Sequence, residues 1–286
     1  MFTHMEGKIC LITGGTNGLG KSTATALAKM GATVVIVGRD ALKTAQVVEE
    51  LRTLSGNPNV DSLLADLSSQ AEVRNLADEF KRKYHYLHVL VNNAGAAFTQ
   101  RQLSVEGIEM TFALNHVSGF LLTHLLLDTL KASAPARIIN VSSGGHTAGK
   151  IEFDNLQGER NYGFGAYLNS KLANILFTTE LARRLEGTQI TVNALDPGLT
   201  ATGFGTNNGK VMSVLVKTFA PLVMRSPEKG AATSVYLASS PDVSETSGKY
   251  FQDSQITPPA PQANDMDVAR KLWDVSADMV HLIEYA

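Results

Sequence analysis

The chain has 286 residues, 44% hydrophobic and 18% charged, with a formal net charge of -2. That length suits one large domain or two small ones, and so even a charge balance removes the electrostatic case for nucleic acid or an anionic membrane as partner. A single cysteine, Cys10, sits in the apolar run Ile9-Cys10-Leu11-Ile12, which excludes an internal disulfide and reads as a buried core thiol.

The start, Met-Phe-Thr-His-Met-Glu-Gly-Lys, lacks the basic then apolar pattern of a signal peptide. The best membrane candidate, Val117 to Leu130, is short and carries His124 and Asp128, so a soluble, cytoplasmic protein is expected. Strand-like runs then alternate with helical patterns. Lys8 to Thr13 reads as a strand, Gly18 to Met30 as a helix, Thr33 to Val37 as a strand, and Ala41 to Leu54 as a helix ended by Ser-Gly-Asn-Pro. Val60 to Ala65 is a third strand, Ser69 to Tyr84 a helix, and Leu87 to Val91 a fourth strand. A single long helix is expected from Ser104 to Leu130, then the strand Arg137 to Val141, a helix through Tyr167 ending near Gly187, and the strand Ile190 to Ala194. The pattern loosens between Leu199 and Arg225, resumes as a helix from Pro227 to Leu237, adds a short strand at Lys249 to Phe251, and closes with a helix from Ala263 to His281. With no repeat or low-complexity linker, the expectation over residues 1–286 is one α/β domain, a doubly wound, Rossmann-type parallel sheet with helices on both faces. Ligands in such sheets bind at the carboxyl ends of the strands.

The turn after the first strand is Thr13-Gly14-Gly15-Thr16-Asn17-Gly18-Leu19-Gly20, opening directly into a helix. Glycines let the backbone turn tightly and approach a pyrophosphate, whose charge the free amides of a helix N-terminus stabilise. At the end of the second strand stand Gly38, Arg39 and Asp40. An acid there would accept bonds from the ribose hydroxyls of NAD, whereas a guanidinium would pair with the extra phosphate of NADP. Glycine fills the acid's position and Arg39 follows, which favours NADP(H) over NAD(H) and is compatible with Asp40 as a plain N-cap. Asp66, at the end of the third strand, is placed to reach the adenine edge, with an N-cap or turn role equally open. The fourth strand leads into Asn92-Asn93-Ala94-Gly95, whose small residues would let the chain run beside the cofactor and whose amides would bind ribose or brace strands.

Asn115 lies among Phe112, Leu114, Phe120 and Leu121, where an unpartnered amide would cost about 1–3 kcal/mol. The fifth strand offers Ser142 and Ser143. Tyr167 and Lys171 are four residues apart on a helix whose apolar positions include Leu168, Leu172, Ile175, Leu176, Leu181 and Leu185, so phenol and ammonium share one face. A unit charge about 4 Å from a forming phenolate contributes roughly 4 kcal/mol at an effective dielectric near 20, enough to bring the tyrosine from about 10 toward 7 before burial is counted. His4, His85, His88, His116, His124, His146 and His281 form no metal-ligand spacing with an acidic or cysteine partner.

With the glycine turn, the Asn-Asn-Ala-Gly segment, paired serines and Tyr-x-x-x-Lys in this order, the chain resembles the short-chain dehydrogenases/reductases over roughly residues 6 to 255. It is most similar to their retinol dehydrogenase group, judging by Leu114-Asn115-His116-Val117-Ser118-Gly119-Phe120, Ser170-Lys171-Leu172-Ala173-Asn174 and Leu272-Trp273-Asp274-Val275-Ser276. The resemblance implies a catalytic tetrad of Asn115, Ser143, Tyr167 and Lys171. Tyr167 would protonate the carbonyl oxygen as hydride arrives from the nicotinamide, and Ser143 rather than Ser142 would hydrogen-bond that oxygen. Lys171 would lower the tyrosine pKa and bind the ribose, while Asn115 would hold a water behind Lys171. It also implies cofactor contacts from Gly14, Thr16, Asn17, Gly18, Leu19, Gly20, Arg39, Asp66, Leu67, Asn93, Ala94, Gly95, Pro197, Gly198, Thr200 and Thr202, a substrate lid over about 199–225, and a C-terminal helical extension over about 256–286. The expected substrate is a small apolar aldehyde, ketone or alcohol, retinoid-like in character. An NAD-linked alcohol dehydrogenase and a catalytically silent NADP-sensing module are the alternatives. The resemblance further implies a homodimer or homotetramer joined through the two long helices, unless the segment His146 to Gly165 covers that face and leaves a monomer.

Overall fold

Apolar, β-branched runs such as Ile-Cys-Leu-Ile-Thr and Thr-Val-Val-Ile-Val carry hydrophobic residues on both faces, and a strand of that kind is stable only in a sheet covered on both sides. A computed structural model describes residues 5–198 and 225–282. Its strands are β1 (Ile9–Thr13), β2 (Thr33–Gly38), β3 (Val60–Leu64), β4 (Val89–Asn92), β5 (Ala136–Val141), β6 (Ile190–Asp196), β7 (Lys249–Gln252) and β8 (Gln255–Ile256). They form one sheet in the order β3-β2-β1-β4-β5-β6-β7-β8, parallel throughout except for β8, which pairs antiparallel with β7. The order reverses between β1 and β4, and the crevice at that switch lies beside the ends of both strands.

Alternation along the strands sorts the core into two layers. Cys10, Ile12, Val34 and Ile36 pack beneath α1 (Gly18–Lys29), α2 (Ala41–Ser55) and α8 (Pro227–Ser239), whereas Leu11, Val35 and Val37 face α3 (Gln70–Lys83), α5 (Ser118–Leu125), α7 (Gly165–Arg184) and α9 (Met266–Met279). Cys10 is fully buried, and burial pushes its thiol up to about 12, so it behaves as a small apolar side chain. Helix boundaries follow capping chemistry: Asp40 accepts from the Lys43 amide at 2.9 Å and starts α2, Gly56 ends it in the left-handed region at φ 68°, and Ser69 starts α3.

The expected long helix from Ser104 to Leu130 is not continuous. Leu103 and Glu109 bridge around a turn, and helix begins only at α4 (Met110–Phe112), where the buried Glu109 carboxylate accepts from the amides of Thr111 and Phe112 at 2.8 Å each. A π-helical turn, Ala113–Val117, then inserts before α5, and a break at Leu126 separates α5 from α6 (Leu127–Ala132).

The outer face of α5 and α7 is covered by α9 rather than by the segment 146–165 alone. Trp273 of α9 lies against Phe120, His124 and Phe177, with the Arg184 guanidinium 4.1 Å above its ring. His116 Nε2 meets Ser276 Oγ at 2.9 Å, and burial among these rings lowers the imidazole to about 4. Among the described residues no helix is long and apolar enough to cross a membrane.

Candidate active site

The turn after β1 is built by close packing of backbone. Gly14 and Gly18 take positive φ (64° and 47°), and a Cβ added at Gly20 would lie 2.4 Å from the Gly14 oxygen and 2.5 Å from Asn93 Nδ2. The Thr13 hydroxyl accepts from the amides of Asn93 (2.9 Å) and Ala94 (3.0 Å), while Asn93 Nδ2 donates to Thr13 O at 2.8 Å. Asn93 Nδ2 therefore braces β4 against β1. Asn92 braces β4 on its other side, against β5, donating to Asn140 Oδ1 at 2.9 Å. Asn17, the N-cap of α1, is extended and leaves its side chain off the helix amides, and the first turn carries no acid. A negatively charged diphosphate fits this arrangement of uncapped amides. Thr16 is half-buried and Leu19 packs into the core.

At the end of β2, Gly38 is required by its neighbours: a Cβ there would lie 2.2 Å from Thr44 Oγ1 and 2.6 Å from Thr16 Cγ2. Arg39 is exposed, and among the described residues its guanidinium makes no hydrogen bond or ion pair, while Asp40 is occupied as a cap. Asp66 organises the turn into α3, accepting from the Ser68 amide (3.0 Å) and hydroxyl (2.7 Å). Leu67 is buried in the core, so its side chain is turned away from the strand-end surface.

Four side chains converge where β4, β5 and α7 meet. A Cβ at Gly95 would come within 3.1 Å of Asn115 Oδ1 and 3.3 Å of Lys171 Nζ, which fixes both groups beside that loop. The π-turn aims Asn115 inward: its Oδ1 accepts from Ala96 N at 2.8 Å, and its Nδ2 donates to Ala96 O and Ser170 Oγ at 2.9 Å each. Both amide donors are thus committed to protein. Ser170 in turn donates to Tyr167 O at 2.7 Å. Lys171 is 4% exposed, donates to Val141 O at 3.1 Å and lies 5.5 Å from the centroid of the Tyr167 ring. Ser143 accepts from the Gly145 amide at 3.2 Å and shares a hydrogen bond with the Tyr167 phenol. Ser142 points the other way: it is buried and donates to Lys171 O at 2.7 Å.

The charges here differ from the simple pairing of a phenol with an ammonium. Burial pushes the Tyr167 phenol above its ordinary value, the Ser143 hydrogen bond pulls it back, and the charge of Asp196 raises it again. Burial lowers Lys171 to about 8, with Asp196 working against that fall. Burial therefore outweighs the depression expected of the tyrosine, and the ammonium is itself bonded to the Val141 carbonyl. Asp196 closes β6, is 6% exposed, accepts from Gly198 N at 2.9 Å and directs its other oxygen toward Gly144, where a Cβ would be 3.0 Å away. Asp196 is not among the residues the sequence singled out, and His146 figured there only as a non-ligand and as the start of the segment 146–165. The signal for Asp196 was present in an acid at the very end of an apolar strand, where an exposed solubilising role is poor economy of burial.

Pro197 and Gly198 follow Asp196 at the same edge, and Gly198 (φ 72°) packs under Arg225, which is paired with Asp253. Thr200, Thr202 and the expected lid, apart from Arg225, lie outside the described residues. Phe164, 55% exposed, sits one turn before Tyr167 with ring centroids 5.3 Å apart, so an apolar surface borders the phenol. No group of three or more potential metal ligands occurs among the described residues.

The sequence matches the short chain dehydrogenase family over residues 8–212. It is 42% identical to retinol dehydrogenase 11 of Homo sapiens, covering 98% of this chain and 87% of that protein, and 44% identical to retinol dehydrogenase 14 of Homo sapiens, covering 98% and 88%. Among solved structures it is similar to an uncharacterised protein of Mycobacterium paratuberculosis (TM-score 0.78, 30% identity, 98% of this chain and 96% of that one). It is also similar to RhlG of Pseudomonas aeruginosa in an active-site complex with NADP (TM-score 0.69, 29% identity, 88% and 97%).

Proposed function

This chain belongs to the short-chain dehydrogenase family, in its retinol dehydrogenase-like group, and on that premise we propose that it interconverts an apolar carbonyl compound and its alcohol using NADP(H). The observation that carries this reading is the cluster in which Ser143 bonds the Tyr167 phenol above a buried Lys171, at the sheet edge that also holds the glycine turn. The nicotinamide cofactor supplies or accepts the hydride. Gly14, Thr16, Asn17, Gly18, Leu19 and Gly20 would hold its diphosphate, Arg39 the 2′-phosphate, and Asn93, Ala94, Gly95, Pro197 and Gly198, with Lys171, its nicotinamide half; the exposed Arg39, unpaired among the described residues, and the NADP complex of RhlG favour NADP. Thr200 and Thr202 belong to the same proposed set, and Asp66 and Leu67 reach the adenine through the backbone of their turn.

The residues of the chain then divide the proton chemistry. Ser143 orients the carbonyl oxygen, and Tyr167, held protonated by burial, gives it a proton. The resulting phenolate is stabilised by the Lys171 ammonium; in the oxidative direction the same phenolate takes the proton from the alcohol. Asn115 braces the 93–96 loop against α7 and so holds Lys171 in place. Phe164 offers an apolar ring beside the phenol, which suits an aldehyde, ketone or alcohol with an extended hydrocarbon body. The test is NADPH oxidation across apolar aldehydes, ketones and quinones, with NADP reduction across the alcohols. Tyr167→Phe is expected to keep NADPH binding and abolish turnover; undiminished turnover overturns the assignment.

A further inference from the structure

Ser143, two residues beyond β5, is extended (φ -167°) and caps a 3-10 turn, Gly144–Ala148, whose third residue is His146. That imidazole is 2% exposed and takes no part in the proton chemistry above. Its Nδ1 lies 2.8 Å from the carbonyl oxygen of Ser143, and a carbonyl only accepts, so Nδ1 carries the proton. Nε2 is then a lone pair, and it accepts from the amide of Ala260 at 3.0 Å. The ring rests on Tyr250 of β7, centroids 4.8 Å apart, and the His146 amide donates a second time to Ser143 O at 3.0 Å. Ala260 opens the short 3-10 segment Pro261–Asn264 that leads into α9, which is anchored on α7 through Trp273 and Arg184.

We propose that His146 is a positioning residue for Ser143, clasping the turn that carries the serine to the C-terminal segment at Ala260. This rests on the reading of Ser143 as the residue that orients the carbonyl. The clasp holds only with a neutral ring, because a proton on Nε2 would set one N–H against another at 3.0 Å. The titratable groups around it are Asp196 at the end of β6, Tyr250 on β7, and Tyr167 and Lys171 on α7, which packs against the same turn. Burial holds the imidazole below its ordinary value, against the Ser143 carbonyl and the Asp196 charge, which favour the proton. Acidification therefore opens the clasp after Tyr167 and Lys171 have taken their protons, so the serine loses its fixed backbone while the charges of both stay as they are.

Two variants and two readouts test this. His146→Gln offers Ala260 a neutral acceptor that does not titrate, and His146→Phe keeps a ring against Tyr250 but offers none. Turnover of the wild type with NADPH is expected to fall as pH drops below about 6.5, the ordinary histidine value, while His146→Gln stays flat over the same acid range. His146→Phe loses roughly tenfold or more in kcat above about pH 6.5, where the wild-type clasp is closed, with NADPH affinity unchanged. An acid limb in His146→Gln that matches the wild type, or full kcat in His146→Phe, overturns the proposal. Should no carbonyl compound be turned over by the wild type, the catalytic reading fails on its own, and the clasp is read without activity. Corrected for intrinsic rate, exchange of the Ala260 amide is expected to be slow in the wild type, faster in acid, and fast at all pH in His146→Phe; equal protection in both proteins overturns it.

Discussion

The two strand ends that make this site are built by opposite means. After β1 the chain presents glycines and backbone amides, packed so closely that Gly20 has no room for a side chain against Gly14 O. After β5 and β6 it presents buried or half-buried ionisable side chains, Tyr167, Lys171, His146 and Asp196, each moved from its ordinary titration or moving another's. The first region recognises a ligand's shape and negative charge with fixed dipoles and costs little to fold. The second buries charge that folding disfavours, so it stores its function as instability. A change of one atom should damage the first region, whereas a change of one charge should damage the second.

Lys171→Met makes the largest difference. Turnover is expected to fall by roughly 10²–10⁴-fold, the usual contribution of acid–base machinery, and Ser143→Ala should fall within the same range. Stability should move the other way. Unfolded, a lysine keeps its proton to about 10.4; folded, Lys171 releases it near about 8. Between those values the unfolded chain binds more protons, so the wild type gains stability as pH rises and the variant does not. The variant should therefore melt higher than the wild type below about pH 8, with the gap closing toward about pH 10.4. Melting curves of both proteins across that range check this, and a variant that melts lower at neutral pH would contradict the picture of stored instability.

Gly20→Ala comes next and acts through space alone. The added methyl meets the Gly14 carbonyl and Asn93 Nδ2 at distances no side chain tolerates. Overpacking of this kind costs about 1–3 kcal/mol, and if the cradle widens to relieve it, NADPH affinity drops roughly 10–100-fold. Unlike Lys171→Met, both stability and function fall, and neither effect depends on pH. A fluorescence titration with NADPH at two pH values measures it. Arg39→Ala is smaller still: loss of one charge-assisted contact weakens NADPH by about tenfold and leaves NADH untouched. Equal effects on the two cofactors would remove Arg39 from the phosphate site.

The same contrast explains what could be read from sequence. The sheet, its order of elements and the glycine turn were legible because they depend on local pattern: apolar runs, caps at Asp40 and Ser69, and glycine where φ is positive. The one poor expectation among the elements, a continuous helix from Ser104 to Leu130, failed where local pattern carries no information. Phe112, Ala113, Val117, Phe120, Leu121 and Leu122 are all buried, so periodicity cannot report a register shift there. The inserted π-turn is held by Asn115 reaching Ala96 and Ser170, partners distant in sequence. Electrostatics were similarly illegible: spacing placed Lys171 near Tyr167, but the sign of the tyrosine's shift depended on burial and on Asp196, which reaches the site from β6.

Ser142 and Ser143 bring the contrast down to adjacent residues, and Ser142→Ala is the smallest change expected. Alternation sends the two hydroxyls to opposite sides of the strand end. Ser143 meets the phenol, while Ser142 is buried and donates to the Lys171 carbonyl, a backbone group of α7. Its removal leaves that carbonyl short of one donor, a loss of about 1 kcal/mol in stability, but it leaves the phenol, the ammonium and the clasp on Ser143 unaltered. Turnover should stay within about threefold of the wild type, the equivalent of under 1 kcal/mol on the barrier. A loss as large as that of Ser143→Ala would mean that the hydroxyl facing α7 governs the chemistry through the backbone of Lys171. The division between a strand end that orients substrate and one that holds the helix would then have to be drawn inside α7 instead.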